Sequence, residues 1–188
     1  MKFTGSILTC WAVGTVGGLW HFVYQYALPT APPSKVNSIE HQETLTTADG
    51  SKLELGKGAR FTLLDFTSGE CGCSQFIKAH VQTLETEFRP RGVQFVHVIE
   101  GDDPPGNTGI WVKDPHGLVA RRFAVGATPG AVVLDEKGHV VFSGTYNRAR
   151  FCDAHETAFV QLALTSLLSG REPAVTRTAF YGCAVPRS

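Results

Sequence analysis

Two thiols one residue apart, Cys71 and Cys73, stand where a short apolar run (Phe61, Leu63, Leu64, Phe66) gives way to a helical pattern. The polar turn Thr67, Ser68, Gly69, Glu70 separates the two. A thiol at the end of a strand and the start of a helix meets backbone N–H groups and the positive end of the helix dipole, and both favour the thiolate. The thiolate is the nucleophile in disulfide exchange and the ligand for soft metal ions. Redox or metal chemistry is therefore expected here, in preference to two small buried residues that never react. Glu70 acts in the opposite direction, because a nearby carboxylate disfavours a second negative charge. A Cys71–Cys73 bond would close a tight ring. Side chains two apart on a helix point to opposite sides, so closure requires Cys71 in the loop and unusual dihedrals at Gly72. Strain should make such a bond easily reduced.

The surrounding elements must present this turn. A core strand is expected at Arg60–Phe66, followed by a helix from about Ser74 to Phe88 with Ile77, Val81, Leu84 and Phe88 at helical spacing. Val93–Ile99 is a near-continuous apolar run of the kind a buried parallel strand shows. Upstream, between Ile39 and Leu55, two short alternating stretches flank a hairpin turn at Ala48–Ser51. Downstream come an exposed loop at Gly101–Thr108, a short helix near His116–Phe123, and a hairpin of Ala131–Leu134 with Val140–Phe142. An apolar helix at Glu156–Leu168 follows and ends at Gly170. This order predicts an α/β domain over residues 38–170, a mixed central sheet flanked by helices, with an irregular tail over 171–188. Asp65 is the one acid in the core strand, either a proton acceptor for a buried thiol or a hydrogen-bonded polar residue at a strand end. His80 and His97 fit structural positions better than ligand positions.

The 188 residues carry 17 Lys and Arg against 17 Asp and Glu, a balance that points to neither nucleic acid nor a highly charged partner. Gly5 to Tyr24 contains no Asp, Glu, Lys or Arg, and about 20 such residues suffice for a helix to cross a bilayer. Residues 1–28 are thus expected to form a single transmembrane anchor; a cleaved signal peptide is the competing reading. Lys2 and the amino terminus flank it, so the amino terminus should stay cytoplasmic and the domain should face the periplasm from the inner membrane. Residues 29–37 form a Pro-rich linker. Disulfides persist in that compartment. Five cysteines are present; with Cys10 placed inside the apolar segment, four remain and allow three pairings. The favoured set is Cys71–Cys73 as the redox pair with Cys152–Cys183 as a structural bond. The rival is a relay in which Cys183 or Cys152 resolves a mixed disulfide on Cys71.

The order of elements resembles the thioredoxin-like superfamily, in particular its membrane-anchored thiol–disulfide oxidoreductases. Leu64-Asp65-Phe66, with the acid six positions before Cys71, is similar to that group's buried strand. Val125 to Pro129 followed by Ala131 to Asp135 and Gly138 resembles its Thr-(cis)Pro, strand and turn-glycine pattern. A closer likeness is to an uncharacterised proteobacterial family with Cys-x-Cys in the same place and a late Gly-Cys, here Gly182-Cys183. The departure is the Cys-x-Cys spacing itself, where thioredoxin-type sites carry Cys-x-x-Cys. The resemblance implies that Pro129 is cis and that Thr128 and Pro129 hold a substrate backbone beside Cys71.

The expected function is a membrane-tethered periplasmic thiol–disulfide oxidoreductase. Cys71 attacks a substrate disulfide, Cys73 resolves the intermediate, and Asp65 assists proton transfer. Its partners are protein thiols or disulfides and a redox partner protein, with no cofactor and no resident metal. Two alternatives stay open: a Cu(I)-binding or metallochaperone module on the same fold, and a catalytically silent interaction domain. Copper-delivery proteins of this fold resemble Cys-x-x-x-Cys with a distant His near the place where Thr128-Pro129 stands here, which favours redox chemistry.

Overall fold

The computed structural model describes residues 44–101, 109–149 and 155–186. The expected anchor at 1–28 and the linker at 29–37 lie outside them, as do Cys10 and Cys152. Among the described residues no helix is long and apolar enough to cross a membrane.

Among the described residues, nine strands and three α-helices follow in order: β1 (Thr44–Thr46), β2 (Lys52–Glu54), β3 (Phe61–Ser68), α1 (Gly72–Phe88), β4 (Val93–Glu100), β5 (Ile110–Lys113), α2 (Leu118–Arg122), β6 (Ala127–Thr128), β7 (Gly130–Asp135), β8 (Val140–Gly144), α3 (Phe159–Leu168) and β9 (Cys183–Ala184). The central sheet runs β5-β4-β3-β7-β8. β3, β4 and β5 are parallel, while β7 and β8 are antiparallel additions. This is the mixed α/β architecture expected from the apolar runs. The hairpin at Ala48–Ser51 is also present, with β1 on β2. β5 has no counterpart in the sequence reading.

Both faces of the sheet are covered, which is why β3 and β4 are continuous apolar runs instead of alternating ones. Successive side chains on β3 serve opposite faces. Leu63 packs with Val81, Leu84 and Phe88 of α1, Phe95, and Val160 and Leu164 of α3. Leu64 packs with Leu45, Val96, Val112, Phe123 and Val132. The second face is completed by Phe180 and Val185 of the carboxyl-terminal segment. The tail expected to be irregular is therefore partly core: it carries β9, which pairs antiparallel with β6, and two buried apolar anchors. Phe180 lies directly on Gly130, where an added Cβ would meet the ring at 2.8 Å. Position 130 must stay bare for the tail to dock.

The anchoring role of Phe180 is checked by truncation. Phe180→Ala should destabilise the fold by about 3–5 kcal/mol in urea unfolding. Leu118→Ala, at a side chain 57% exposed, should change it by less than about 0.5 kcal/mol. Equal small effects would mean that the tail is not part of the core.

Candidate functional site

The turn between β3 and α1 is fastened by its own polar groups. Cys71 N–H donates to the Ser68 carbonyl at 3.3 Å, and Ser68 N–H donates to Ser74 Oγ at 3.2 Å. The Gln75 side-chain amide donates to the Gly69 carbonyl at 3.0 Å. Cys71 thereby becomes the N-cap residue of α1, with extended backbone and no side-chain cap hydrogen bond. The first-turn amides at this end of the helix have no helical carbonyl to satisfy them. Cys73 is the second residue of the helix and is half-buried.

Cys71 is bonded to Cys183, with Cα atoms 6.0 Å apart and 112 residues between them in sequence. Cys73 is a free thiol. The expected pairs Cys71–Cys73 and Cys152–Cys183 are thus not the ones in this structure. The reason is positional. The β6–β9 ladder places Cys183 opposite Thr128, whose carbonyl oxygen is 3.5 Å from Cys71 Sγ, so Cys183 reaches Cys71 in bonding geometry while Cys73 stays nearby as a thiol. When the bond is reduced, the Cys71 thiol can donate to that carbonyl. The three sulfurs of Cys71, Cys73 and Cys183 all lie within 4.8 Å of one another. This is the pair of residues that the relay alternative joins, and a third thiol stands beside it.

The Thr128–Pro129 peptide bond is cis, as the resemblance implies. Thr128 is buried, and its Oγ1 has no hydrogen-bond partner among the described residues. Thr128 does stand beside Cys71 with its backbone in a ladder, but the strand it pairs with is the chain's own β9.

Asp65 is 4% exposed and lies in register between His97 on β4 and Ala131 on β7. Tyr146 Oη donates to its Oδ1 at 2.6 Å, and His97 Nδ1 is 2.8 Å from its Oδ2. His97 Nε2 is 3.1 Å from Glu85 Oε1, and Arg89 donates to the same oxygen at 2.7 Å. Trp111 stacks on the imidazole with ring centroids 4.4 Å apart. Burial alone would depress the imidazolium, but the hydrogen bonds and charges of Asp65 and Glu85 outweigh it and push His97 up to about 9. Burial would raise Glu85, yet His97 and Arg89 together hold it below the ordinary carboxylate value. Tyr146 is driven well above its ordinary value by burial and by the Asp65 carboxylate. Asp65 is the hub of a buried ionic chain from β3 through β4 to α1, with each of its oxygens already engaged. A cavity of about 270 Å³ borders the chain, lined in part by Asp65, Ser74, Glu85, His97 and Trp111. Periodicity could not have found His97 as Asp65's partner, because the two are 32 residues apart and meet only through sheet register. His80, by contrast, is half-buried against the edge of Tyr146, its Nε2 is buried without a partner among the described residues, and burial lowers its pKa.

The charged His97 makes stability depend on pH in a defined direction. Its folded value near 9 exceeds the ordinary 6.5, so its contribution is complete below about pH 6.5 and is lost as pH rises through 9. Unfolding free energy should fall by roughly 3 kcal/mol across that window. His97→Gln should remove most of the slope. An unchanged slope in the variant would exclude His97 as its source.

None of the curated proteins matches the chain. An uncharacterized conserved protein from Geobacillus kaustophilus has a similar crystal structure, at 20% identity and a TM-score of 0.68, over 82% of this chain and 94% of that one. A hypothetical protein from Sinorhizobium meliloti is similar at 17% identity and a TM-score of 0.69, over 86% and 99%. A thioredoxin-like protein from Aeropyrum pernix is similar at 20% identity and a TM-score of 0.45, over 55% and 81%. At these identities the first two likenesses speak for the fold alone. The family described as "Domain of unknown function (DUF6436)" matches residues 40–186, and with most of its length inside that match the chain belongs to this family.

Proposed function

We propose that this protein is a thiol–disulfide oxidoreductase whose resident disulfide is Cys71–Cys183. The observation that carries the reading is the placement of Cys71: it caps the start of a 17-residue helix, is bonded to Cys183, and has a free third thiol within 4.8 Å. In the exchange, two thiols of a partner lose two electrons and two protons and become a disulfide, while Cys71 and Cys183 gain them and become thiols; the reverse direction balances equally. A helix N-terminus stabilises the thiolate that leaves when the bond breaks, and the Thr128 carbonyl, 3.5 Å away, accepts the hydrogen bond of the thiol that forms. The apolar segment from Gly5 to Tyr24 supports the further expectation of a tether to the inner membrane with the domain in the periplasm, where such a bond persists.

A second reading rests on the same three sulfurs. Once reduced, three convergent thiolates within 4.8 Å suit a soft monovalent ion such as Cu(I).

Differential alkylation with peptide mass spectrometry across a glutathione redox series decides among these readings. Cys71 and Cys183 should switch together between thiol and disulfide within the range glutathione can poise. A bond that stays closed below about −300 mV would mark it as a structural staple and sink the proposal. Reduced thiols that resist reoxidation and are protected from alkylation by Cu(I) would transfer the function to metal binding. Because the bond closes a loop of 112 residues, its reduction should also lower unfolding free energy, by up to about 5 kcal/mol in the chain-entropy picture.

A further inference from the structure

Cys71 is 2% exposed, and the backbone edge beside it is taken. β9 lies antiparallel on β6 with Ala127 opposite Ala184 and Thr128 opposite Cys183, and Val185 N–H extends the ladder to the Gly126 carbonyl at 3.2 Å. The tail approaches so closely at Gly182, whose φ is +138°, that a Cβ there would come within 2.9 Å of the Thr128 carbonyl carbon. The segment is held at both ends. Phe180 is buried on Gly130, Tyr181 Oη donates to the Asn147 carbonyl, and Arg121 Nη1 donates to the Pro186 carbonyl at 2.9 Å. A partner strand therefore cannot lie along Thr128 without first unseating a core residue. The two sulfurs of the site that solvent reaches better are Cys73 and Cys183, both half-buried.

Given the oxidoreductase reading, on which this step rests, we propose that Cys73 is the port through which the buried disulfide exchanges with partners, in a three-sulfur relay. The Cys73 thiolate attacks Cys183 Sγ. The Cys73–Cys183 bond forms, the Cys71–Cys183 bond breaks, and Cys71 departs as a thiolate at the helix N-cap, later taking a proton and donating it towards the Thr128 carbonyl. The disulfide now joins the two half-buried sulfurs. A thiolate of a partner dithiol attacks Cys73 Sγ, forming a partner–Cys73 mixed disulfide and releasing Cys183 as a thiolate that is then protonated. The partner's second thiolate attacks its own sulfur in that bond, leaving as the partner disulfide and freeing Cys73. Two electrons and two protons have moved from the partner dithiol to Cys71 and Cys183, and Cys73 returns to its starting state. The substrate class that follows is a vicinal or flexible dithiol able to reach the first turn of α1 by its sulfur alone, without adding a strand to β6.

The test uses the full chain and two thiols as probes. Dithiothreitol, a dithiol, is mixed with oxidised protein, and the reaction is quenched by alkylation at intervals. Cys73→Ser should slow reduction of Cys71–Cys183 by about ten-fold or more, because an intramolecular attack on Cys183 is replaced by a bimolecular attack on a sulfur that is at best half-exposed. The equilibrium proportion of the bond in a glutathione buffer should stay close to that of the unsubstituted chain. In the unsubstituted chain, brief exposure to reduced glutathione, a monothiol, should place the adduct on Cys73. Equal reduction rates with and without Cys73, or an adduct on Cys183 or Cys71, overturn the relay and leave the oxidoreductase reading standing. A bond that neither thiol reduces in either chain removes that reading and the relay with it. The adduct mapping needs no variant and so holds even if Cys73→Ser folds poorly.

Discussion

Backbone pairing between Ala127–Thr128 and Cys183–Ala184 holds a sulfur from one end of the domain over the start of a helix formed 112 residues earlier. That two-residue ladder is short, and two strand residues in isolation have no stability of their own. It persists because the residues around it are bolted down: Phe180 and Val185 are buried among the apolar side chains of the sheet, and Arg121 donates to the Pro186 carbonyl beyond it. Everything distinctive about the sulfur cluster follows from this placement. Cys183 arrives opposite Thr128, Thr128 lies against Cys71, and Cys73, two residues further on, is left over as the third thiol.

Beneath the cluster lies a different kind of interaction. Asp65 is a carboxylate in the middle of a sheet, and an unpaired buried charge would be very costly. It survives because Tyr146 and His97 supply one short hydrogen bond to each oxygen, and because His97 is itself braced by Glu85 on the far side. The imidazolium is thus shared between two carboxylates, one deep and one partly exposed, with Trp111 closing its face. The arrangement links strands β3 and β4 to helix α1 by charge as well as by apolar packing. In this geometry Asp65 serves first as the counter-ion of His97.

What could be read from the sequence was what depends on neighbours along the chain. The apolar run before Cys71, the 3.6-residue spacing of Val81, Leu84 and Phe88, and the turn between Val132 and Val140 each encode an element locally, and each element is there. The Cys71 turn was legible for the same reason. What was not legible depends on partners far away in sequence. The tail has no periodicity to betray it, since only two of its residues form strand and its anchors are isolated apolar side chains amid Pro, Gly and Thr. Counting cysteines could not choose among pairings, because the choice is made by which strand lies beside β6. Asp65 was recognisable as a polar residue in an apolar strand, yet its partners Tyr146 and His97 come from 81 and 32 residues away and reach it only after the sheet has formed.

Gly182 and Phe180 tie the disulfide to the sheet. Only a bare backbone fits against Thr128 at position 182, and Phe180 rests on Gly130, so the packing that seats the tail is the same packing that holds Cys183 beside Cys71. Bond and sheet fasten one another, a latch set on a door that already fits its frame.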